Sequence, residues 1–227
     1  MARLVWDQEG QRTYETGVNN CALFKKTASA YGAGVAWNGI TSISESPSGA
    51  EATPLYADDI KYLNLYSAEE FGATVEAYTY PDEFAECDGS GSIANGVFVG
   101  QQKRSLFGLA YETTIGDDNG GKYKKLHLIY NATAAPSEKA YATINDSPEA
   151  ITFSWTLTTT PVKEMVNGKE ITTASVTIDS RKFTDETKNY FKAIEDYIFG
   201  SESSDPKFPT LQQLYELATT GSVSTTG

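Results

Sequence analysis

Between Ile151 and Thr160, large apolar and small hydroxyl side chains alternate without a break: Ile151, Phe153, Trp155 and Leu157 against Thr152, Ser154, Thr156 and Thr158. Successive side chains of a β-strand point to opposite faces, so this spacing predicts a strand with one buried face and one polar, uncharged face. The same period recurs along the chain. Phe71, Ala73, Val75 and Ala77 alternate with Thr74, Glu76 and Tyr78, and Phe107, Leu109, Tyr111 and Ile115 alternate with Gly108, Glu112 and Thr114. Leu126, Leu128 and Tyr130 alternate with His127 and Asn131, and Ala174, Val176 and Ile178 with Ser175 and Thr177. Residues 21–25, 35–44 and 60–66 are less regular strand candidates. About seven or eight strands with turn-rich connections predict a mainly β fold, a β-sandwich or barrel.

The connections carry their own signals. Gly116-Asp-Asp-Asn-Gly-Gly121 and Val166-Asn-Gly-Lys169 supply residues that tolerate positive φ, as hairpin tips require. Pro81 closes the strand that starts near Phe71, because proline donates no ladder hydrogen bond. One helix is predicted over residues 184–199. Thr184 or Asp185 caps it, Phe183, Tyr190, Phe191, Ile194, Tyr197 and Ile198 form its apolar stripe, and Gly200 stands at its end. A shorter helix is expected after Pro209, with Leu211, Leu214, Tyr215 and Leu217 on one side, after which the chain reads as a frayed tail. Residues 38–59, with five serines and glycines between Gly39 and Ser48 as well as Pro47 and Pro54, read as one long loop that still carries Ile43, Leu55 and Tyr56. Residues 1–17 read as an N-terminal arm exposing Leu4, Val5 and Trp6. The expected division is therefore an arm (1–17), a β domain with one flanking helix (18–200) and a C-terminal arm or tail (201–227).

Composition narrows the chemistry. Thirty acidic residues against 18 basic ones leave a net charge of −12, which opposes the counterion-releasing contacts that bind nucleic acid tightly. No basic residue falls between Lys61 and Lys103, a stretch holding Glu69, Glu70, Glu76, Asp82, Glu83, Glu86 and Asp88. Cys21 and Cys87 lack metal or redox spacing and read as two reduced, partly buried thiols. The first residues have no apolar signal region, and no run approaches the ~18 apolar residues of a membrane span, so a soluble product without a membrane anchor is expected. Asn131-Ala-Thr and Asn145-Asp-Ser match the glycosylation pattern but carry little weight without a secretion route. The single histidine, His127, is expected at the surface or an interface; it has no nucleophile motif to serve and no second histidine for a metal. Phosphate-loop and dinucleotide glycine motifs are absent, and Asp117-Asp-Asn-Gly supplies only a fragment of a calcium loop. No catalytic residue, cofactor or metal ligand is assigned, and an enzyme is not expected.

Several ordered blocks carry a resemblance: Gly34-Val-Ala-Trp-Asn-Gly-Ile-Thr, Tyr56-Ala-Asp-Asp-Ile-Lys-Tyr, Glu69-Glu-Phe-Gly-Ala-Thr-Val-Glu-Ala-Tyr-Thr-Tyr-Pro-Asp-Glu-Phe, Ala135-Pro-Ser-Glu-Lys-Ala-Tyr and Asn145-Asp-Ser-Pro-Glu-Ala-Ile-Thr-Phe-Ser-Trp. In this order, up to about Gly200, the chain resembles the major tail proteins of long-tailed bacteriophages, the subunits of the tail tube. The resemblance implies hexameric rings that stack into a hollow tube of the virion tail, made in the bacterial cytoplasm, through which the genome leaves the capsid. It further implies a tape-measure protein, an initiator or baseplate and a tail terminator as partners, with DNA passing without specific binding. By position and composition, Leu4, Trp6, Ile43, Pro47, Leu55 and Tyr56 are the expected ring-to-ring contacts. An acidic lumen would repel phosphates, and Glu69, Glu70, Glu76, Asp82, Glu83 and Glu112 are its candidates. The alternative is a carbohydrate-binding or adhesin-like β-sandwich, suggested by Tyr56, Tyr62, Tyr66, Tyr78 and Tyr80. A carboxylate-dyad enzyme is a further reading, since acid pairs are numerous.

Overall fold

The computed structural model describes residues 3–28, 30–144, 146 and 149–224. The Asn145-Asp-Ser sequon and the last three residues of the expected tail fall outside or partly outside that set. In chain order the strands are β1 (Thr13–Thr27), β2 (Ala30–Tyr31), β3 (Val35–Ala36), β4 (Ile40–Glu45), β5 (Ser48–Gly49), β6 (Ala52–Ala57) and β7 (Ile60–Tyr66). There follow β8 (Glu69–Glu70), β9 (Gly72–Ala77), β10 (Gly91–Ala94), β11 (Val97–Val99), β12 (Phe107–Asp117) and β13 (Lys122–Ala134). The last are β14 (Phe153–Thr159), β15 (Val162–Val166), β16 (Lys169–Thr173) and β17 (Ser175–Asp179), before two helices, α1 (Lys188–Phe199) and α2 (Leu211–Thr220). The expected mainly β fold is present, with the predicted flanking helix and the shorter one expected after Pro209 both formed.

Among the described residues, nine strands form one antiparallel sheet in the order β2-β1-β12-β13-β14-β9-β4, with β3 on β1 and β17 on β13. The outer edge of β13 is shared: Lys125–Ile129 pairs with β17, and Ala132–Ala134 pairs with β14. Asn131, at φ 46°, sits at the irregularity between these halves and lets the strand change partners. The sheet curls, and Trp155 sits in the hollow with Phe84 and Trp37 at ring-centroid distances of 5.1 and 5.5 Å. Leu23, Val75, Leu109, Ile129 and Leu157 complete that core.

A second core covers the opposite face. Cys21 and Leu23 face the hollow while Ala22 and Phe24 face the helices, so β1 is apolar on both sides over this stretch. Phe191, Ile194 and Ile198 of α1 and Leu211, Leu214 and Leu217 of α2 cover Leu126, Leu128 and Tyr130. The second helix is capped as a reciprocal box, Thr210 Oγ1 accepting from Gln213 N–H and Gln213 Oε1 from Thr210 N–H. Glu164 accepts from the Leu211 and Gln212 N–H groups, placing a carboxylate at the positive end of the helix.

Four boundaries differ from the sequence expectations. Residues 38–59 are not one loop: Ile40–Glu45 is a strand of the main sheet, and Ala52–Ala57 pairs with Ile60–Tyr66 in a hairpin. Pro54 had argued against a strand, yet a two-stranded ribbon has an open edge that tolerates a missing N–H. The N-terminal arm is shorter than 1–17, because polar, exposed Thr13–Thr16 already pair with β12. The segment after Gly200 is not a tail: Phe208, Leu211, Leu214 and Leu217 are buried. The first helix begins at Lys188 rather than 184, after a turn in which Thr187 Oγ1 accepts from Thr184 N–H.

Candidate assembly surface

Exposed apolar residues concentrate in β6–β7 and the arm. The two strands turn at Asp58-Asp59, both at positive φ (52° and 63°), with Ala57 opposite Ile60. Alternation then sorts the side chains: Leu55 lies opposite Leu63, with Leu65 on the same face, while Tyr62 and Tyr66 project from the other. Neither face is covered. Leu55, Leu63 and Leu65 are 41%, 39% and 54% exposed, and Tyr62 and Tyr66 are 70% and 67% exposed. In the arm, Leu4 and Trp6 are 73% and 72% exposed. Smaller exposed groups lie at Ile93, Val97 and Phe98 of β10–β11 and at Tyr141 and Ile144.

Of the six expected contact residues, Leu4, Trp6, Pro47, Leu55 and Tyr56 are exposed. Ile43 is not available in the same way. It pairs with Val75 within the sheet and packs partly buried against the hollow core. Its place in a strand rather than a loop gives it a partner inside the subunit.

Five of the six acidic candidates border β9. Glu69 and Glu70 are exposed before it, Asp82 and Glu83 are exposed after it, and Glu76 lies on its outward side, accepting a 2.9 Å hydrogen bond from Ser42 Oγ. Glu112 departs from the expectation. It is 2% exposed, because β12 lies in the middle of the sheet and its second face is roofed by α1. Asn20 Nδ2 donates to its Oε2 at 2.6 Å, and Lys124 Nζ lies 3.4 Å from Oε1 and 2.5 Å from Glu195 Oε1 on α1. Burial pushes the Glu112 carboxyl above the ordinary glutamate range, against the pull of Asn20 and Lys124. Burial also works against the charge on Lys124, but its contacts with Glu195 and Glu112 outweigh that and raise it.

A polar cluster closes one end of the hollow. His127 stacks on Tyr111 with centroids 4.7 Å apart and planes 2° from parallel. It is mostly enclosed, its side chain 12% exposed, rather than a surface residue. Thr113 Oγ1 donates to Glu15 Oε1 at 2.5 Å and lies 3.1 Å from His127 Nε2. His127 Nδ1 lies 3.6 Å from Glu45 Oε1, and Tyr111 Oη donates to that same oxygen at 2.7 Å. His127 and then Tyr111 hold the Glu45 carboxyl below its ordinary range although burial opposes them. These contacts tie β1, β4, β12 and β13 across the hollow. Sequence reading missed the cluster because Glu15 and Glu45 are remote in the chain and sit in segments that read as arm and loop.

Cys21 and Cys87 are free and buried. Burial raises both thiols, Cys87 to about 12. Among the described residues, no helix is long and apolar enough to cross a membrane.

No protein-family model matches this chain, and no curated protein matches it. Among solved structures it aligns with a chain of the anti-feeding prophage baseplate, determined by cryo-electron microscopy with 6-fold symmetry imposed. Identity is 7% and the TM-score 0.38, over 78% of this chain and 97% of the other.

Proposed function

We propose that this chain is a structural subunit of a bacteriophage tail, forming rings that stack into a tube for genome passage. The observation that carries the reading is the β6–β7 hairpin with both faces apolar and both exposed. A two-stranded hairpin is marginally stable by itself, and apolar patches left open on a subunit mark surfaces meant for other chains. A hairpin seated on its own domain would hide one face. This one hides neither, which suits an element that inserts between neighbouring subunits. Closed head-to-tail contacts around a ring and open ones along an axis are the two contact types a tube needs. The edge strand β4 and the exposed arm supply further surface for them. The acidic residues bordering β9 suit a conduit, since like charge keeps a passing polyphosphate from adhering.

The tyrosine face alone would also suit a carbohydrate-binding module. The leucine face opposite has no such use, and a glycan array on which the protein binds no sugar would agree with the assembly reading.

Negative-stain electron microscopy of concentrated protein tests the proposal. Hollow rings or tubes of uniform width are expected, increasing with salt, because a net charge of −12 opposes association until screened. Leu55→Asp combined with Leu63→Asp should keep the fold by circular dichroism and remove the assemblies. Monomers at every concentration and salt in the wild type, or unchanged tubes in the double variant, would overturn the reading.

A further inference from the structure

Lys26 stands apart from the other partly buried lysines. Lys25, Lys125 and Lys139 each meet a carboxylate, on Glu86, Glu15 and Asp88 respectively. Among the described residues Lys26 has no carboxylate partner. Its Nζ donates instead to Asn131 Oδ1 at 2.7 Å and lies 5.1 Å from the centre of the Tyr31 ring. A neutral amide is a weaker partner than a carboxylate for a cation taken partly out of water. Asn131 is itself 8% exposed, and its side chain is fixed at both ends. Oδ1 also accepts from the Tyr31 hydroxyl at 3.0 Å, the Asn131 N–H donates back to that hydroxyl at 3.0 Å, and Nδ2 donates to the Thr160 carbonyl at 3.2 Å.

This arrangement has the parts of an acyl transfer. An amine touches a buried amide whose oxygen carries two donors. Such donors draw charge from the carbonyl carbon and are placed for the oxyanion that forms when a nucleophile adds. Burial raises the Tyr31 hydroxyl above the ordinary phenol range, which keeps it a donor. The amide carbon lies one C=O bond, ~1.2 Å, behind the oxygen, within reach of a rotation about the last torsions of the lysine. Lys26 and Tyr31 line a cleft of about 320 Å³, and Glu164 lines the same cleft. Glu164 Oε2 receives the Leu211 and Gln212 N–H groups. Among the described residues its Oε1 accepts no hydrogen bond, which leaves that oxygen open to a proton.

We infer that Lys26 and Asn131 join in an intramolecular isopeptide bond, with Tyr31 polarising the amide and Glu164 carrying the proton. Nζ of the Lys26 ammonium gives one proton to Glu164, and the freed lone pair adds to Asn131 Cγ. A second Nζ proton passes to Nδ2, the Cγ–Nδ2 bond breaks with its electron pair on nitrogen, and ammonia leaves, taking up the proton from Glu164 as ammonium. Nothing is oxidised or reduced. The product ties residues 105 apart in sequence and joins β1 to β13 across β12, which lies between them. The inference does not depend on the assembly reading.

Intact-mass spectrometry of the full-length folded chain tests it. The wild type is expected to be lighter than its sequence by one ammonia. Trypsin should no longer cut after Lys26, and the digest should contain a branched peptide joining Lys26 to Asn131. Lys26→Arg and Asn131→Ala should each restore the full sequence mass. Glu164→Gln keeps an oxygen for the two helix N–H groups, so it should fold by circular dichroism. Freshly purified, it should remain at full mass, because losing a positioned proton carrier slows such a step ~100-fold or more. A wild-type chain still at full sequence mass after prolonged incubation at neutral pH overturns the inference. So does an ammonia loss that persists in Lys26→Arg, which belongs to a succinimide at an Asn-Gly turn such as Asn119-Gly120 or Asn167-Gly168. Complete bond formation in Glu164→Gln overturns the part assigned to Glu164.

Discussion

Gly108 lies in β12 beneath the ring of Phe208, whose atoms stand 2.9 Å from the point a β-carbon would occupy. The whole ring opposes that point, so Gly108→Ala must lift Phe208 off the sheet together with its aromatic contacts to Phe24, Tyr31 and Tyr130. Overpacking of this kind costs about 1–3 kcal/mol, and thermal unfolding should register a lowered Tm; an unchanged Tm would show that the ring has room to move. Glu45 gives a prediction in pH. Its folded carboxyl sits below the ordinary glutamate range, so its contribution is present above that range and is lost as pH falls through the depressed value. Tm curves of wild type and Glu45→Gln should therefore differ above about pH 4.5 and converge in stronger acid. Curves that stay parallel would mean that the contacts with His127 and Tyr111 do not couple to folding.

At the level of elements, the two apolar outliers of the chain behave differently. The hairpin β6–β7 belongs to no core, whereas α2 closes one. Phe208 and Leu211 are each 6% exposed and lie over Phe24 and Tyr130, which are fully or almost fully buried beneath them. Ending the chain after Lys207 should therefore expose one face of the central strands and yield an aggregating or unfolded product. Each large apolar side chain uncovered costs roughly 1.5–3 kcal/mol, a large share of the stability of an ordinary domain. Soluble expression with a wild-type Tm would show instead that the helix is a dispensable appendage. Both elements carry apolar side chains, and it is what lies beneath each that separates them.

For the molecule as a whole, the two-sided burial of β1, β12 and β13 gives a rigid centre from which the projections extend. In the proposed assembly, the net charge of −12 would keep subunits apart at low ionic strength, while the hairpin and the arm would provide short-range attraction. Screening over ~10 Å or less at ordinary salt shifts that balance toward assembly. Salt dependence and hairpin dependence would thus report on two different parts of the proposed association.

The period-two patterns of β9, β12, β13, β14 and β17 were legible in sequence because side-chain alternation is a local property of extended backbone. The same holds for the turns at residues 117–121 and 167–168, whose glycines and asparagines answer a local demand for positive φ. The mainly β class and the amphipathic stripes of both helices followed from the same kind of signal. Other features depended on partners far along the chain. Thr13–Thr16 became strand because β12 offers an edge, Ile43 became core because β9 lies beside it, and Glu112 was enclosed because α1 folds over the strand that carries it. The meeting of Glu15, Glu45 and His127 likewise exists only once the sheet has curled. Alternation decided which side chains share a face; tertiary structure decided what each face meets, because pairing and burial are set by long-range contacts that no local pattern records.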